Sequence, residues 1–191
     1  MKTFDTAVLA VETATLISGY RVLDILTREN FHVLDASPCG DRRFLVFVSG
    51  EESRLKTALE RLRVLEGMAA DEIIDFALIA PIDRSVLESV FSLTKQKLEE
   101  SLLIVEAATV SACLDVAQMS AKDHGLHPIE FRIRRSGAGG AYAVLTGNSR
   151  AVTLAAEEGR THLRHDMRDA KIETIDQPAP SFRSLFEFSN V

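Results

Sequence analysis

The stretch AVLAVETATLISGYRVLDILTREN, residues 7–30, is echoed later in the chain by SLLIVEAATVSACLDVAQMSAKDHG, residues 101–125. Glu12 matches Glu106 in this alignment, a spacing of 94 residues by subtraction. Two further matches have a spacing of 97 residues by subtraction: Gly50 with Gly147, and Pro81 with Pro178. A repeat of this length in a chain of 191 residues indicates a tandem duplication, because a solenoid needs at least about three repeats. We therefore predict two domains, 1–95 and 96–191.

Each copy is predicted to fold as β-α-β-β-α-β. Alternating apolar residues from Ala7 to Val11 indicate a first strand. The helix that follows has an i, i+4, i+7 spacing of apolar residues, which predicts one buried face. The residues that carry this spacing are Leu16, Tyr20 and Leu23 in the first copy, and Val110, Leu114, Ala117 and Ala121 in the second. The fold class expected is α/β (α+β), with two small antiparallel sheets that each carry helices.

Three further segments complete each predicted copy. Strands are expected at 31–36 and 44–48 around a glycine-bearing loop, and at 73–79 and 172–175 before the prolines. Second helices are indicated by Leu55, Leu59 and Leu62, and by Val152, Ala155, Ala156 and Gly159. A short apolar tail follows each copy: Val86, Leu87, Val90 and Phe91, and then Phe182, Leu185 and Phe186.

Composition excludes some functional classes. Hydrophobic residues make up 46% and charged residues 26%, with a net charge of −6, which argues against a nucleic-acid-binding protein because such proteins need a basic face. No apolar run approaches the roughly 18 residues of a membrane span, and the first residues do not resemble a signal peptide. Two cysteines are too few for a disulfide framework. We expect a cytoplasmic protein.

No motif predicts catalysis, so we expect no enzyme. The run GAGGA, residues 137–141, precedes a predicted strand and not a helix, which excludes a dinucleotide-binding loop. The histidine pairs 124/127 and 162/165 have no third ligand placed beside them, and Cys113 is expected to be buried in its helix. Glu12 and Glu106 are expected to begin helices, where free N–H groups stabilise a carboxylate.

The ordered set of residues in both copies resembles the bacterial microcompartment shell domain, and above all the tandem-domain shell proteins of the propanediol-utilisation type. The residues that carry the resemblance in the first copy are Glu12, Gly19, Asp24, Arg28, Gly50 and Pro81. Those in the second copy are Glu106, Lys122, Gly137, Gly139, Gly147 and Pro178. The resemblance covers nearly the whole chain.

The resemblance implies a homotrimer that mimics a hexagon, associates with other shell proteins and passes small metabolites through a central pore. It places the loops between the second and third strands at that pore. The implied lining residues are Pro38, Cys39, Gly40, Asp41 and Arg42, with Ser136, Gly137, Ala138 and Gly139. Arg28 and Lys122 match the edge position at which neighbouring hexagons meet, although the arginine that the family often has beside the last proline is absent here.

The loop DASPCGDRR, residues 35–43, leaves two questions open. In the family, the propanediol-type protein carries an iron–sulfur cluster at the pore, so Cys39 from three copies is a candidate ligand set for a 4Fe-4S cluster. The alternative is an open pore in which Cys39 is a small loop residue. Arg42 and Arg43, with Arg132, Arg134 and Arg135, form either a cationic rim for anionic metabolites, which Asp35, Asp41 and Glu130 would partly cancel, or ordinary surface charge.

Two other functions remain possible at this level. β-α-β-β-α-β units also occur in ferredoxin-like ligand-sensing domains, so a cytosolic small-molecule-binding regulator is the alternative. An electron carrier outside any shell would hold the cluster but would not assemble laterally.

Overall fold

The computed structural model describes residues 7–64, 72–165 and 168–182. They form two compact units that do not coincide with the predicted domains. Of these residues, the first unit contains 7–64, 72–82, 109–111 and 134–140; the second contains 83–108, 112–133, 141–165 and 168–182. Two short segments of the second sequence repeat therefore belong to the first unit. The predicted domains, 1–95 and 96–191, follow the repeat and stay a prediction.

The first unit is built on a four-stranded antiparallel sheet with the order β2-β3-β1-β4. Its elements are β1 (Ala7–Thr13), α1 (Leu16–Arg28), β2 (His32–Pro38), β3 (Phe44–Gly50), α2 (Glu52–Arg63) and β4 (Ile73–Ile79). The strands match those predicted to within two residues at each end. Leu9 and Val46 are fully buried in one core with Val22 of α1 and Leu59 of α2, so both helices pack on the same face of the sheet.

Helix α1 begins at an N-cap, Thr15, whose hydroxyl accepts a hydrogen bond from the Ser18 backbone N–H at 3.1 Å. It lies close to β3 because Gly19 has no side chain: a Cβ there would stand 2.5 Å from Phe44. The predicted buried face is wrong at Leu16 and Tyr20, whereas Leu23 packs against the core. Leu16 is 42% exposed and Tyr20 is 61% exposed, because the helix instead turns Ser18, Gly19, Val22 and Leu26 inward.

The second unit repeats the same topology, with the strand order β6-β7-β5-β8. Its elements are α3 (Arg84–Val90), β5 (Ser101–Ala107), α4 (Val110–His124), β6 (His127–Ile133), β7 (Ala141–Gly147), α5 (Ser149–His165) and β8 (Ala170–Asp176); the first residues of α4 belong to the first unit. The apolar spacing predicted for α4 is confirmed, since Val110, Leu114, Ala117 and Ala121 are all buried. The tail after Pro81 forms α3, and Leu185 and Phe186 of the second tail lie outside the described residues.

Candidate functional site

Two hairpin loops from equivalent positions in the repeats meet in the first unit. One loop connects β2 to β3, and the other, residues 134–140, connects β6 to β7. The Asp41 backbone N–H donates to the Gly137 carbonyl at 2.9 Å. The Gly137 N–H donates back to Asp41 Oδ1 at 2.7 Å. The structure therefore brings together the two segments that the sequence placed at one site.

Glycine is required where the two loop backbones pass each other. Gly139 has a φ of +77°, and a Cβ at this position would lie 2.1 Å from the Cys39 carbonyl oxygen. Gly40 has a φ of +148°, and its Cβ would stand 3.0 Å from the Gly139 Cα. Side chains at these positions would push the loops apart.

Glu12 ties the same region to the start of α4. It lies in β1, is fully buried, and its Oε1 accepts a hydrogen bond from the Ser111 N–H at 2.8 Å. Beside it, the Thr109 hydroxyl donates to Asp75 Oδ2 at 2.5 Å. The free N–H groups at the helix N-terminus stabilise the carboxylate, but burial outweighs them and raises the pKa of Glu12.

The prediction that the two repeat-equivalent glutamates begin helices is thus wrong. Glu12 and Glu106 lie within β1 and β5. Glu12 reaches the start of α4, which is the first helix of the other repeat, 99 positions along the chain. No local sequence pattern predicts that Glu12 contacts the start of α4, although Thr109 is a typical N-cap residue.

Cys39 lies behind the loop contact, with its side chain fully buried. Its thiol Sγ is 3.9 Å from Glu12 Oε2, to which it donates. The Cys39 backbone N–H donates to the Arg43 carbonyl at 3.1 Å and closes the hairpin. Burial, and then the neighbouring Glu12, raise the pKa of the Cys39 thiol to about 12.

In sequence, the chain matches no protein-family model and no curated protein. In structure, it is similar to a microcompartments protein from Desulfitobacterium hafniense DCB, with a TM-score of 0.75 and 20% identity over 94% of this chain and 98% of that one. The chain has the fold of a tandem microcompartment shell protein. A fused, permuted hexameric shell protein of the RMM microcompartment has the same fold at a TM-score of 0.61, 19% identity and 86% and 87% coverage. A double-ringed trimeric shell protein of the RMM microcompartment matches at a TM-score of 0.59, 16% identity and 84% and 83% coverage.

The surroundings of Cys39 in this shell-protein fold do not fit an iron–sulfur cluster. Cysteine thiolates ligate such a cluster, whereas this thiol is buried, is directed at the Glu12 carboxyl group and has a raised pKa. In 7–64, 72–165 and 168–182, no group of three or more His, Cys, Asp or Glu side chains could hold a metal ion. The cluster remains an untested prediction, and the geometry favours its alternative, a Cys39 that packs inside the loop.

We expect anaerobically purified protein to contain iron and acid-labile sulfide only at background levels, because a neutral, buried Cys39 thiol does not ligate iron. The Cys39→Ser variant should give the same values. Colorimetric iron and sulfide assays on both proteins check this expectation. Stoichiometric iron in the wild type that is lost in Cys39→Ser would show that the loop opens and exposes the thiol.

Two of the arginines near the loops form ion pairs with acidic side chains. Arg135 pairs with Asp35 at 3.0 Å, and Arg132 pairs with Glu130 at 3.0 Å. Arg42 lies on an open pocket of about 780 Å³ in the first unit. The other residues that line this pocket are Ala14, Thr15, Asp41, Arg43, Glu72, Ile74, Gly137 and Ala138.

The predicted edge residues both end a first helix. Arg28 lies in the last turn of α1 and pairs with Asp24 at 2.8 Å, with both side chains exposed. Lys122 lies in the last turn of α4. Positive charge at a helix C-terminus is favourable in itself, so these positions are compatible with an edge contact and do not require one.

The remaining side chains considered from the sequence have ordinary surroundings. His124 and His127 each lie beside one glutamate, Glu158 at 2.7 Å and Glu99 at 3.7 Å. Cys113 is buried in α4, as predicted. No helix in the part of the chain described here is long and apolar enough to cross a membrane.

Proposed function

We propose that this chain is a structural shell subunit of a bacterial microcompartment in the cytoplasm. Three copies would close into a ring of six shell domains around a central pore. The observation that carries the proposal is the contact between the loop at Cys39–Asp41 and the loop at Gly137–Gly139. The shell-protein fold supports it.

The loop contact provides one of the junctions that such a ring needs. Equivalent segments of the two repeats are in contact within one chain, Asp41 with Gly137. A head-to-tail contact that is repeated around a symmetry axis closes into a ring. Three chains would then gather six equivalent loops around the axis, which places 38–42 and 136–139 at the centre.

The proposed pore passes small metabolites by diffusion. Its lining would combine the exposed residues 136–138 with the charged side chains Asp41 and Arg42. Pore radius and this charge balance would govern which molecules pass. With Cys39 buried, the pore carries metabolites and no electrons.

The alternative function, a small-molecule regulator of ferredoxin-like fold, is not favoured. The sheet order found here is compatible with it, because fold alone does not fix function. The three similar structures named above are a microcompartments protein and two shell proteins of the RMM microcompartment. An electron carrier would need the cluster that Cys39 does not fit.

The test is the assembly state of the purified protein. We expect sedimentation and light scattering to give three times the chain mass of 21.0 kDa, because each ring closes with three copies. Electron microscopy should show flat sheets or lattices of these trimers, alone or with other shell proteins. A stable monomer, or discrete particles of another symmetry, would contradict the proposal.

A further inference from the structure

Within the chain, two residues of one sheet hold the start of a helix. Glu12 and Asp75 lie directly opposite each other in the β1–β4 ladder, so their side chains share one face of the sheet. Glu12 accepts the Ser111 N–H and Asp75 accepts the Thr109 hydroxyl. The pair fixes the first turn of α4.

The repeat contains a second set of the same positions. Glu106 and Lys171 lie opposite each other in the β5–β8 ladder, and both are exposed. By the spacing of 94 residues that relates Glu12 to Glu106, Ser111 corresponds to Ile17 and Thr109 to Thr15. By this equivalence, the start of α1 is the surface that Glu106 and Lys171 would contact.

The start of α1 is an exposed apolar surface, unlike that of α4. Ile17 is 75% exposed and Tyr20 is 61% exposed. Their counterparts in α4, Ser111 and Leu114, are 0% and 1% exposed. Since the two helices are repeats of one element, this difference indicates that α1 has a partner that the single chain does not supply.

The pocket lined by Thr15, described above, carries charges opposite in sign to those of Glu106 and Lys171. Arg42 lines it on one side, where a carboxylate would also meet the N-terminus of α1. Glu72 lines it as well, and among the residues described no donor reaches its buried Oε2 atom. A buried carboxylate oxygen without a donor is costly, so a cation brought beside Glu72 would stabilise it.

We propose that this pocket receives Glu106 and Lys171 of a second copy of the chain. Glu106 would accept N–H groups of the first turn of α1 and lie near Arg42, while Lys171 would pair with Glu72. The inference rests on the proposed ring and assigns its subunit junction. That junction differs from the one inside the chain, because Lys171 stands where Asp75 stands in the first repeat.

The test is a charge exchange at the proposed pair. Glu72→Lys and Lys171→Glu each place like charges together, and each should raise the trimer dissociation constant by at least about tenfold. The double variant Glu72→Lys/Lys171→Glu restores opposite charges and should restore most of the association. Glu106→Ala should weaken the trimer as well. Sedimentation equilibrium on a dilution series measures all four.

Matched variants separate the junction from general charge effects. Lys97→Glu and Glu157→Lys make the same charge changes at exposed positions outside the pocket, and both should leave the trimer intact. Thermal melting followed by circular dichroism reports whether each variant folds. A wild-type monomer would overturn the ring and the junction together. A wild-type trimer that neither single variant weakens, or that the double variant fails to restore, would overturn the junction alone.

Discussion

Gly139→Ala is expected to lower the free energy of unfolding by about 3 kcal/mol or more. Its Cβ would lie 2.1 Å from the Cys39 carbonyl oxygen, so the two loops must separate. The φ of +77° adds backbone strain for any residue with a side chain. Because the same contact carries the proposed ring, the variant should also lose the trimer.

Gly137→Ala is the matched control. Gly137 has a φ of +64°, but a Cβ there would meet nothing within 4 Å. The free energy of unfolding of this variant should therefore fall only by the backbone strain, about 1 kcal/mol. Urea denaturation measures the difference between the two substitutions, and light scattering reports the trimer. Equal losses in the two variants would show that the loops are not held in contact in solution.

The fold was predictable because each helix and strand could be inferred from two copies of its sequence. A weak pattern such as Val152, Ala155 and Gly159 in α5 became a helix assignment because Leu55, Leu59 and Leu62 occupy the corresponding element. The observed sheets have the same strand order in both units. Agreement between independent local patterns and one global topology is typical of natural sequences.

The buried face of α1 was predicted wrongly for a physical reason. Apolar spacing shows that a helix face is covered, but it does not show by what. Tyr20 and Leu16 follow the same spacing as Leu114 and Val110, yet only the α4 residues are covered within the chain. The pattern of α1 is explained if a second copy covers it, as the proposed junction requires.

The loop site was located from the sequence, but its chemistry was not. Glycines between two apolar strands placed Cys39 and Gly137 in hairpins. The direction of the Cys39 side chain depends on Glu12, and the position of Glu12 depends on Ser111, which is 99 positions away. Such a network arises only when the chain folds, so no local motif signals a buried thiol.

Ionisation of Glu12 is expected to make the stability of the protein depend on pH. Burial raises the pKa of this carboxyl group above its ordinary value of 4.5, so the folded protein holds a proton that the unfolded chain releases. The stabilising contribution is complete below the ordinary pKa and is lost as pH rises through the raised pKa of the folded state. The wild type should therefore become less stable as pH increases from about 5 upward.

Two substitutions separate the proton of Glu12 from its hydrogen bond. Glu12→Gln keeps an acceptor for the Ser111 N–H and cannot ionise, so its stability should stay level over the range in which the wild type declines. Glu12→Ala removes the acceptor and leaves a cavity, which should cost about 3 kcal/mol even at acidic pH. Urea denaturation at a series of pH values measures both effects, with the exposed Glu157→Gln as a control.

The groups that face Glu12 determine how the measured pH dependence of stability is interpreted. Asp75 and the Cys39 thiol are its neighbours in the first unit, together with the N–H groups of Val110 and Ser111. The Cys39 thiol, with a pKa of about 12, does not titrate in the range tested. The negative charge of Asp75 adds to burial in raising the pKa of Glu12. A wild-type profile that matches Glu12→Gln at every pH would show that Glu12 is already ionised in the folded protein and that the α4 N-terminus outweighs its burial.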